Sequence, residues 1–497
     1  MSEELAADPA LGRLAQAMLI PPFQSETAPE WVRAALADGL GGVTLFGPNV
    51  QDREQLARLT ASLRSATIEP VIAIDEEGGD VTRISHQAGS DYPGNAALGA
   101  IDDVSLTRSV YAALGADLAV LGINLDLAPA VDVNTAADNP VIGTRAFGSD
   151  SVLVARHAAA AVEGLQSAGI AACAKHFPGH GSTTLDSHLV VATVDAPLSV
   201  LRERDLPPFA AAIAAGVQAI MPSHLRVPEL TGDLPASLSR RALTDLLRGE
   251  LGFTGVIVSD GLEMRAVSEP YGIPEAAVQA VIAGTDLLCL GRDQDQLSYL
   301  AVRDALVEAV RSGRLPAARL EDAADRVAGL RAWMAAAATP PYQTADQAAE
   351  IGLAAARRAV RVSGLPPALD EPLVVQLVPP SNLAVGSVPW GLGPWVPAGS
   401  YCEISTGSAT ADLPGLVSEV LEGAAGRSLV IVVRDGHRYH VAAEVVTMVL
   451  AARPDAVLVE MGLPVWQPAG ARYLASYGAA NSNSRAVAEV LGLTTAN

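Results

Sequence analysis

Lysine is almost missing from this chain of 497 residues: Lys175 is the only one, and arginine supplies every other cationic side chain. Cationic charge is scarce as a whole, 33 Lys+Arg against 55 Asp+Glu, and the formal net charge of −22 repels nucleic acid and anionic membrane surfaces, so neither is an expected partner. Cysteine is rare too. Cys173, Cys289 and Cys402 are an odd number scattered over a long chain, which argues against a disulfide framework. Two of them lie in the apolar runs IAACA and DLLCL, where core packing is the expectation. No apolar run reaches the roughly 18 residues of a membrane span. The first residues, MSEELAADPALGRLAQAMLIPPF, lack a basic stretch, an apolar core and a small-residue cleavage site, so a cytoplasmic location is expected. GGDVTR is not a phosphate-binding loop, no G-x-G-x-x-G follows the first strand, and no sequence repeat stands out, so no nucleotide cofactor is expected.

What is abundant is apolar surface. Half the residues are hydrophobic, ample for burial, and the length exceeds what one ordinary core supports, which predicts two domains or more. Short apolar runs bounded by turn signals recur as GVTLFG (42–47), PVIAID (70–75), INLDLAP (123–129), IAACAKH (170–176), AIMPSH (219–224), GVIVSD (255–260) and TDLLCLG (285–291). Between them lie stretches with helical spacing, so strand and helix alternate and the sheet is parallel. With an eighth element from 10–40, the pattern predicts an α/β fold: a (β/α)8 TIM-type barrel over 1–335. A doubly wound open sheet would gather the same strand ends along one edge. The stretch AAAATPPYQTADQ breaks the pattern and places a linker at 336–350. A second series over 351–497, with helix 346–362, strands 372–379, 428–436 and 456–462, and helices 440–452 and 484–491, predicts a smaller three-layer α/β sandwich domain.

Polar residues fall where those strands end. Asp75, Asp126, His176, His224 and Asp260 each sit at or just past a C-terminal strand end, the rim on which barrel enzymes build their sites. Asp260 in GVIVSDGLEM has two local readings, a carboxylate nucleophile fixed on a strand tip or an N-cap of the next helix. The segment AKHFPGHGSTTLDSH (174–188) holds the lone lysine and three of the eight histidines. Its glycines and hydroxyls predict an irregular loop, in which Asp186 and His188, two apart, can meet as an acid/base pair. The histidine spacing matches no helical zinc site, and no metal is expected. Lys175 and His176 suit substrate hydroxyls or an anionic group. Asp75, Glu76 and Glu77 before a glycine pair, Arg83, and Arg145 in NPVIGTRAFG can join the same mouth, as can His224 as a further substrate-binding candidate. The NSNS of 481–484 either caps the last helix or faces the cleft.

In this order on a βα barrel, IDEEGG, NPVIGTRAFG, AKHFPGHGSTTLDSH and GVIVSDGLEM resemble family 3 glycoside hydrolases, and among them the bacterial β-N-acetylglucosaminidase branch in its two-domain form, over roughly residues 10–335. The resemblance implies a retaining, exo-acting enzyme with Asp260 as nucleophile and His188 paired with Asp186 as acid/base. It implies that Asp75, Arg83, Arg145, Lys175 and His176 hold the terminal sugar, and that no cofactor is needed. The substrate would be a small N-acetylglucosamine-containing glycoside, as in peptidoglycan recycling. A phosphorylase using inorganic phosphate, a β-glucosidase and a non-catalytic sugar-binding barrel are the alternatives. The chain departs from the branch in reading IDEEGGDV, in Gly261 after the nucleophile position, and in Ser182 after GHG, where aspartate is common.

Overall fold

The structure, a computed structural model, describes residues 9–185, 191–337, 344–364, 368–380, 385–407 and 412–493. It divides into two compact units: Met1–Glu76, Thr107–Val141 and Ser149–Gln343 form the first, and Glu77–Leu106, Ile142–Gly148 and Thr344–Asn497 the second. The division therefore does not fall at one point in the chain. Within the 336–350 stretch expected as a linker, helix Ala345–Ala359 begins at Ala345.

The first unit carries eight parallel strands, β1 (Leu19–Ile20), β2 (Gly42–Leu45), β3 (Val71–Ile74), β4 (Leu125–Asp126), β5 (Ala171–Phe177), β6 (Ala219–Pro222), β7 (Val256–Ile257) and β8 (Leu288–Cys289). Strands β2 to β7 pair in chain order, and β1 pairs with β8. The ring closes at two seams. Thr44 N–H donates to Pro21 O (3.3 Å) and Thr44 Oγ1 to Ile20 O (3.1 Å), which joins β1 to β2. A parallel bridge between Val258 and Leu287 joins β7 to β8. The eighth strand is the LI of 19–20, inside the segment expected to supply an eighth element.

Alternate residues of each strand point inward, so Ile20, Val71, Ala73, Leu125, Ala171, Cys173, Ala219, Met221, Val256 and Cys289 fill the barrel as one apolar core. Val327, Leu330 and Met334 of helix Ala317–Ala336 pack onto that core. The same helix reaches residues that precede strands: Arg331 Nε donates to Glu69 O (2.8 Å) and Arg319 Nη2 to Thr285 O (2.7 Å). It therefore covers the N-terminal end of the barrel, and the strands' C-terminal ends form the open mouth. No helix among the described residues is long and apolar enough to cross a membrane.

The second unit is built on β9 (Arg361–Ser363), β10 (Leu373–Val378), β11 (Tyr401–Ser405), β12 (Leu429–Val433), β13 (Val457–Glu460) and β14 (Arg472–Ala475), in the spatial order β11-β10-β12-β13-β14-β9. All pairs are parallel except β14 with β9. The period-2 alternation splits the sheet into two apolar faces. Leu373, Val375 and Leu377 pack with helices Leu413–Gly423 and His440–Ala452, whereas Val374, Val430, Val432 and Val457 pack with helix Asn481–Leu491. Helices on both faces of one sheet make the three layers.

Two local expectations change. Strand β9 occupies residues expected to continue a helix to 362. The NSNS residues do not cap: the cap of helix Asn481–Leu491 is Ala480, Asn481 Nδ2 instead donates to Asp91 Oδ1 (3.1 Å), and Asn483 Nδ2 donates to Ser476 O (2.9 Å).

Candidate active site

The mouth of the barrel collects ionisable groups from five strand ends, those of β3 to β7. Lys175 on β5 extends its ammonium to Asp75, which follows β3: Nζ donates to Oδ1 at 2.7 Å, with the lysine 2% and the aspartate 20% exposed. At that burial a charge needs its counter-charge, and this pair supplies both. Asp126, at the end of β4, is buried below; Oδ1 accepts the Glu76 N–H (3.0 Å) and Oδ2 has no hydrogen-bond partner among the described residues. Burial first, then the nearby charges of Glu76 and Asp75, push its carboxyl well above the usual range, against the pull of the Glu76 N–H and of Lys175. Burial therefore favours the protonated form of this carboxyl.

His176 is steered by a residue that the sequence reading did not single out. Asp132, fully buried beyond β4, accepts from His176 Nδ1 (2.7 Å) and from the backbone N–H of His180 (2.7 Å). Burial works against its ionisation, but the neighbouring His176 and His180 outweigh burial and hold the carboxyl below its ordinary value. The carboxylate fixes the imidazole tautomer, so Nδ1 carries the proton toward Asp132. The available signal was AVDVN itself, a charged residue between two valines in an apolar run.

The loop after β5 is bound into place as far as it is described. Gly179 N–H donates to His176 O (2.8 Å), Asn139 Nδ2 to His180 O (2.9 Å) and Ala136 N–H to Gly181 O (3.1 Å). Gly179 has φ +127°, open to glycine, and a Cβ on Gly181 would stand 2.0 Å from Val133 O. Gly179 is thus required by its backbone conformation and Gly181 by close backbone approach. Ser182 accepts from Arg204 Nη2 at 2.9 Å. Asp186 and His188, the expected acid/base pair, lie outside the described residues.

Asp260 follows β7, is half-buried, and accepts the Gly261 N–H at 2.8 Å. It caps no helix, since the next begins at Arg265 behind Met264, so its local sequence no longer supports the capping role. His224, after β6, is fully buried. Its Nε2–H donates to the Gly261 carbonyl (3.0 Å), which can only accept, so Nδ1 accepts from Ser237 Oγ (2.6 Å). Both ring nitrogens are engaged inside the protein, and His224 braces the Asp260–Gly261 turn instead of offering a nitrogen to a ligand. The thiol of Cys173, inside β5, records the convergence: burial pushes it up, Asp75, Asp126 and Asp260 push further, and Lys175 opposes them.

Arg83 and Arg145 belong to the second unit. There Arg145 forks onto Glu77, Nε to Oε2 at 2.9 Å and Nη2 to Oε1 at 2.7 Å, both side chains buried. Asp80, also missed, accepts from Thr144 Oγ1 (2.6 Å) and the Ala479 N–H (3.0 Å) and pairs with Arg434 (3.1 Å). The His86 ring Nδ1 lies 3.0 Å from Arg83 O. Among the described residues no group of three His, Cys, Asp or Glu side chains is placed to hold a metal.

A carboxylate on a rigid strand end, a buried ammonium–carboxylate pair and an oriented imidazole can together bind hydroxyls and attack an electrophilic carbon. Comparison with known proteins agrees with such chemistry. Residues 12–330 match the N-terminal domain of glycosyl hydrolase family 3. The chain is 33% identical over 380 residues, 69% of its length, to a β-hexosaminidase A of Pseudoalteromonas piscicida, of which it spans 63%. It is 38% identical over 258 residues to a β-hexosaminidase of Stenotrophomonas maltophilia (strain K279a), covering 50% of this chain and 76% of that one. A family 3 β-N-acetylglucosaminidase structure from Paenibacillus sp. str. FPU-7 superposes with a TM-score of 0.86 at 32% identity, over 98% of this chain and 97% of that one. The barrel, the rim residues and the matched length carry one conclusion: the chain belongs to glycosyl hydrolase family 3, in its β-N-acetylglucosaminidase branch.

Proposed function

We propose that this protein is a retaining exo-β-N-acetylglucosaminidase. The observation that carries the reading is the half-buried Asp260 carboxylate on the β7 tip, in the same rim as the Lys175–Asp75 pair and the Asp132-oriented His176. In the first step Asp260 attacks the anomeric carbon, forming a glycosyl ester as the bond to the leaving oxygen breaks. His188, held by Asp186, gives that oxygen its proton. In the second step His188 takes a proton from water, whose oxygen attacks the same carbon and frees Asp260. A histidine that has given up its proton is neutral, so it does not repel an incoming anion as a second carboxylate would. Lys175, Asp75 and His176 hold the terminal sugar in this reading, and His224 positions the nucleophile's turn.

The relatives named as β-hexosaminidases and the Paenibacillus enzyme support this assignment. Action in the cytoplasm on amino-sugar fragments of peptidoglycan recycling is part of the proposal and rests on the sequence alone. The decisive measurement is release of p-nitrophenol from its β-N-acetylglucosaminide and β-glucoside, with and without inorganic phosphate, by wild type and Asp260→Ala. The expected result is phosphate-independent cleavage of the first substrate, lost by at least about 1,000-fold in the variant. Full activity in Asp260→Ala sinks the nucleophile assignment, and sugar 1-phosphate as product makes the enzyme a phosphorylase.

A further inference from the structure

The second unit holds a pocket of about 360 Å³, at the small end of the roughly 300–1,000 Å³ typical of small-molecule sites. None of its lining residues belongs to the proposed glycosidase site. Its walls are the end of β10 with Pro379 and Pro380, the stretch 385–390, and Arg434, Asp435, Arg438 and Tyr439 beyond β12.

The position follows from the sheet's winding. From β10 the chain goes outward to β11, then returns past β10 to β12, so the direction of winding reverses between β10 and β12. In open α/β sheets the crevice outside the C-terminal strand ends at such a reversal is where ligands are held. The walls are also fixed in advance. The buried carboxylate of Glu460, at the end of β13, accepts the N–H groups of Asp435 (2.7 Å) and Gly436 (3.0 Å), and Gln376 Nε2 of β10 donates to Trp390 O (3.2 Å).

The groups presented have a definite chemistry. Arg434 lies over the Trp390 ring at 5.8 Å and Arg438 over Tyr439 at 5.6 Å. Arg434 is committed on one side to Asp80, whereas Arg438 stands 3.7 Å from Asp435 Oδ2, too far for a hydrogen bond. Guanidinium groups fit carboxylate or phosphate oxygens, an indole face fits a ring's C–H face, and Asp435 can accept from a hydroxyl. We propose that this pocket binds a small anionic sugar derivative, one ring carrying a carboxylate or a phosphate ester.

The test is calorimetric titration of the full chain with glucuronate and glucose 6-phosphate, with glucose as the neutral control. Arg438→Ala and Trp390→Ala are the informative variants, because replacing Arg434 would also strip Asp80 of a partner. At least one anionic probe should bind saturably with Kd below about 1 mM, glucose at least tenfold more weakly. Each variant should weaken the anionic probe about tenfold or more with an unchanged circular dichroism spectrum and melting midpoint. Binding of one probe alone identifies the source of the anion, ester or carboxylate. No saturation by either up to about 10 mM, or affinity retained in both variants, overturns the proposal. Neither result depends on glycosidase turnover, so failure here is distinct from failure of the assigned reaction.

Discussion

Lys175 reaches Asp75 through an almost closed surface, and that geometry restricts what can replace it. An ammonium is compact and donates in three directions, whereas a guanidinium is planar and needs room for a fork. Lys175→Arg keeps the charge and changes the shape, so kcat/KM should fall by about 100-fold through displaced substrate-binding groups, and overpacking at this buried position should cost about 1–3 kcal/mol of stability, read by calorimetry. An undiminished rate on the aryl substrate would remove Lys175 from the sugar site. Asp126 and Asp132 show two buried carboxyls set in opposite states by their neighbours. Asp132 is held below its ordinary value, so its stabilisation is present above that value and is lost as pH falls through the folded one. Asp126 is held above its ordinary value, so the folded state keeps a proton that the unfolded chain releases. Its contribution is most favourable below that ordinary value and declines as pH rises toward the folded one. Asp126→Asn should therefore match wild type near pH 4 and melt higher by a few degrees near pH 7, at about 2–4 °C per kcal/mol. A gap that narrows with rising pH contradicts the assignment.

At the scale of elements, the β5 loop has a backbone that tolerates no side chain at Gly181. Gly181→Ala forces the loop off Val133, and a cost of about 1–3 kcal/mol with at least a tenfold loss of turnover is expected, read by calorimetry and by aryl-substrate assay. Turnover kept at the wild-type level would detach this loop from catalysis. The same elements show what was legible in the sequence. The barrel strands announced themselves because each is an apolar run closed by a polar residue, and that closure also located Asp75, Asp126, His176, His224 and Asp260. Strand β9 left no such mark: its three residues are all exposed on an edge, with nothing apolar to bury. Strand β11 sits at the opposite edge, where only Ile404 of YCEIS is buried, and the four residues of β14 are too few to show a period. Asp80 and Asp132 escaped because their roles depend on partners distant in the chain, Arg434 and Ala479 for one and His176 and His180 for the other. His224 was located correctly at a strand end, but no spacing rule reveals that Ser237 and Gly261 occupy both its nitrogens.

Across the whole molecule, the arginine bias and the acidic surplus leave the ammonium group nearly absent from the side chains. The only lysine is also among the largest buried side chains, in the middle of β5 between neighbours that close the barrel. A protease specific for lysine has one peptide bond to cut, Lys175–His176, and the closed barrel keeps it out of reach. Cleavage requires an opening that releases β5, so its rate reports that one event and no surface fraying. Native protein should resist such a protease for hours and yield two fragments, near residues 1–175 and 176–497, only as denaturant populates the opened barrel. Rapid cutting in native buffer would mean that β5 is not the interior strand described. Amine-directed labels sharpen the same point: the single lysine side chain becomes reachable only on opening and serves as a built-in clock for it.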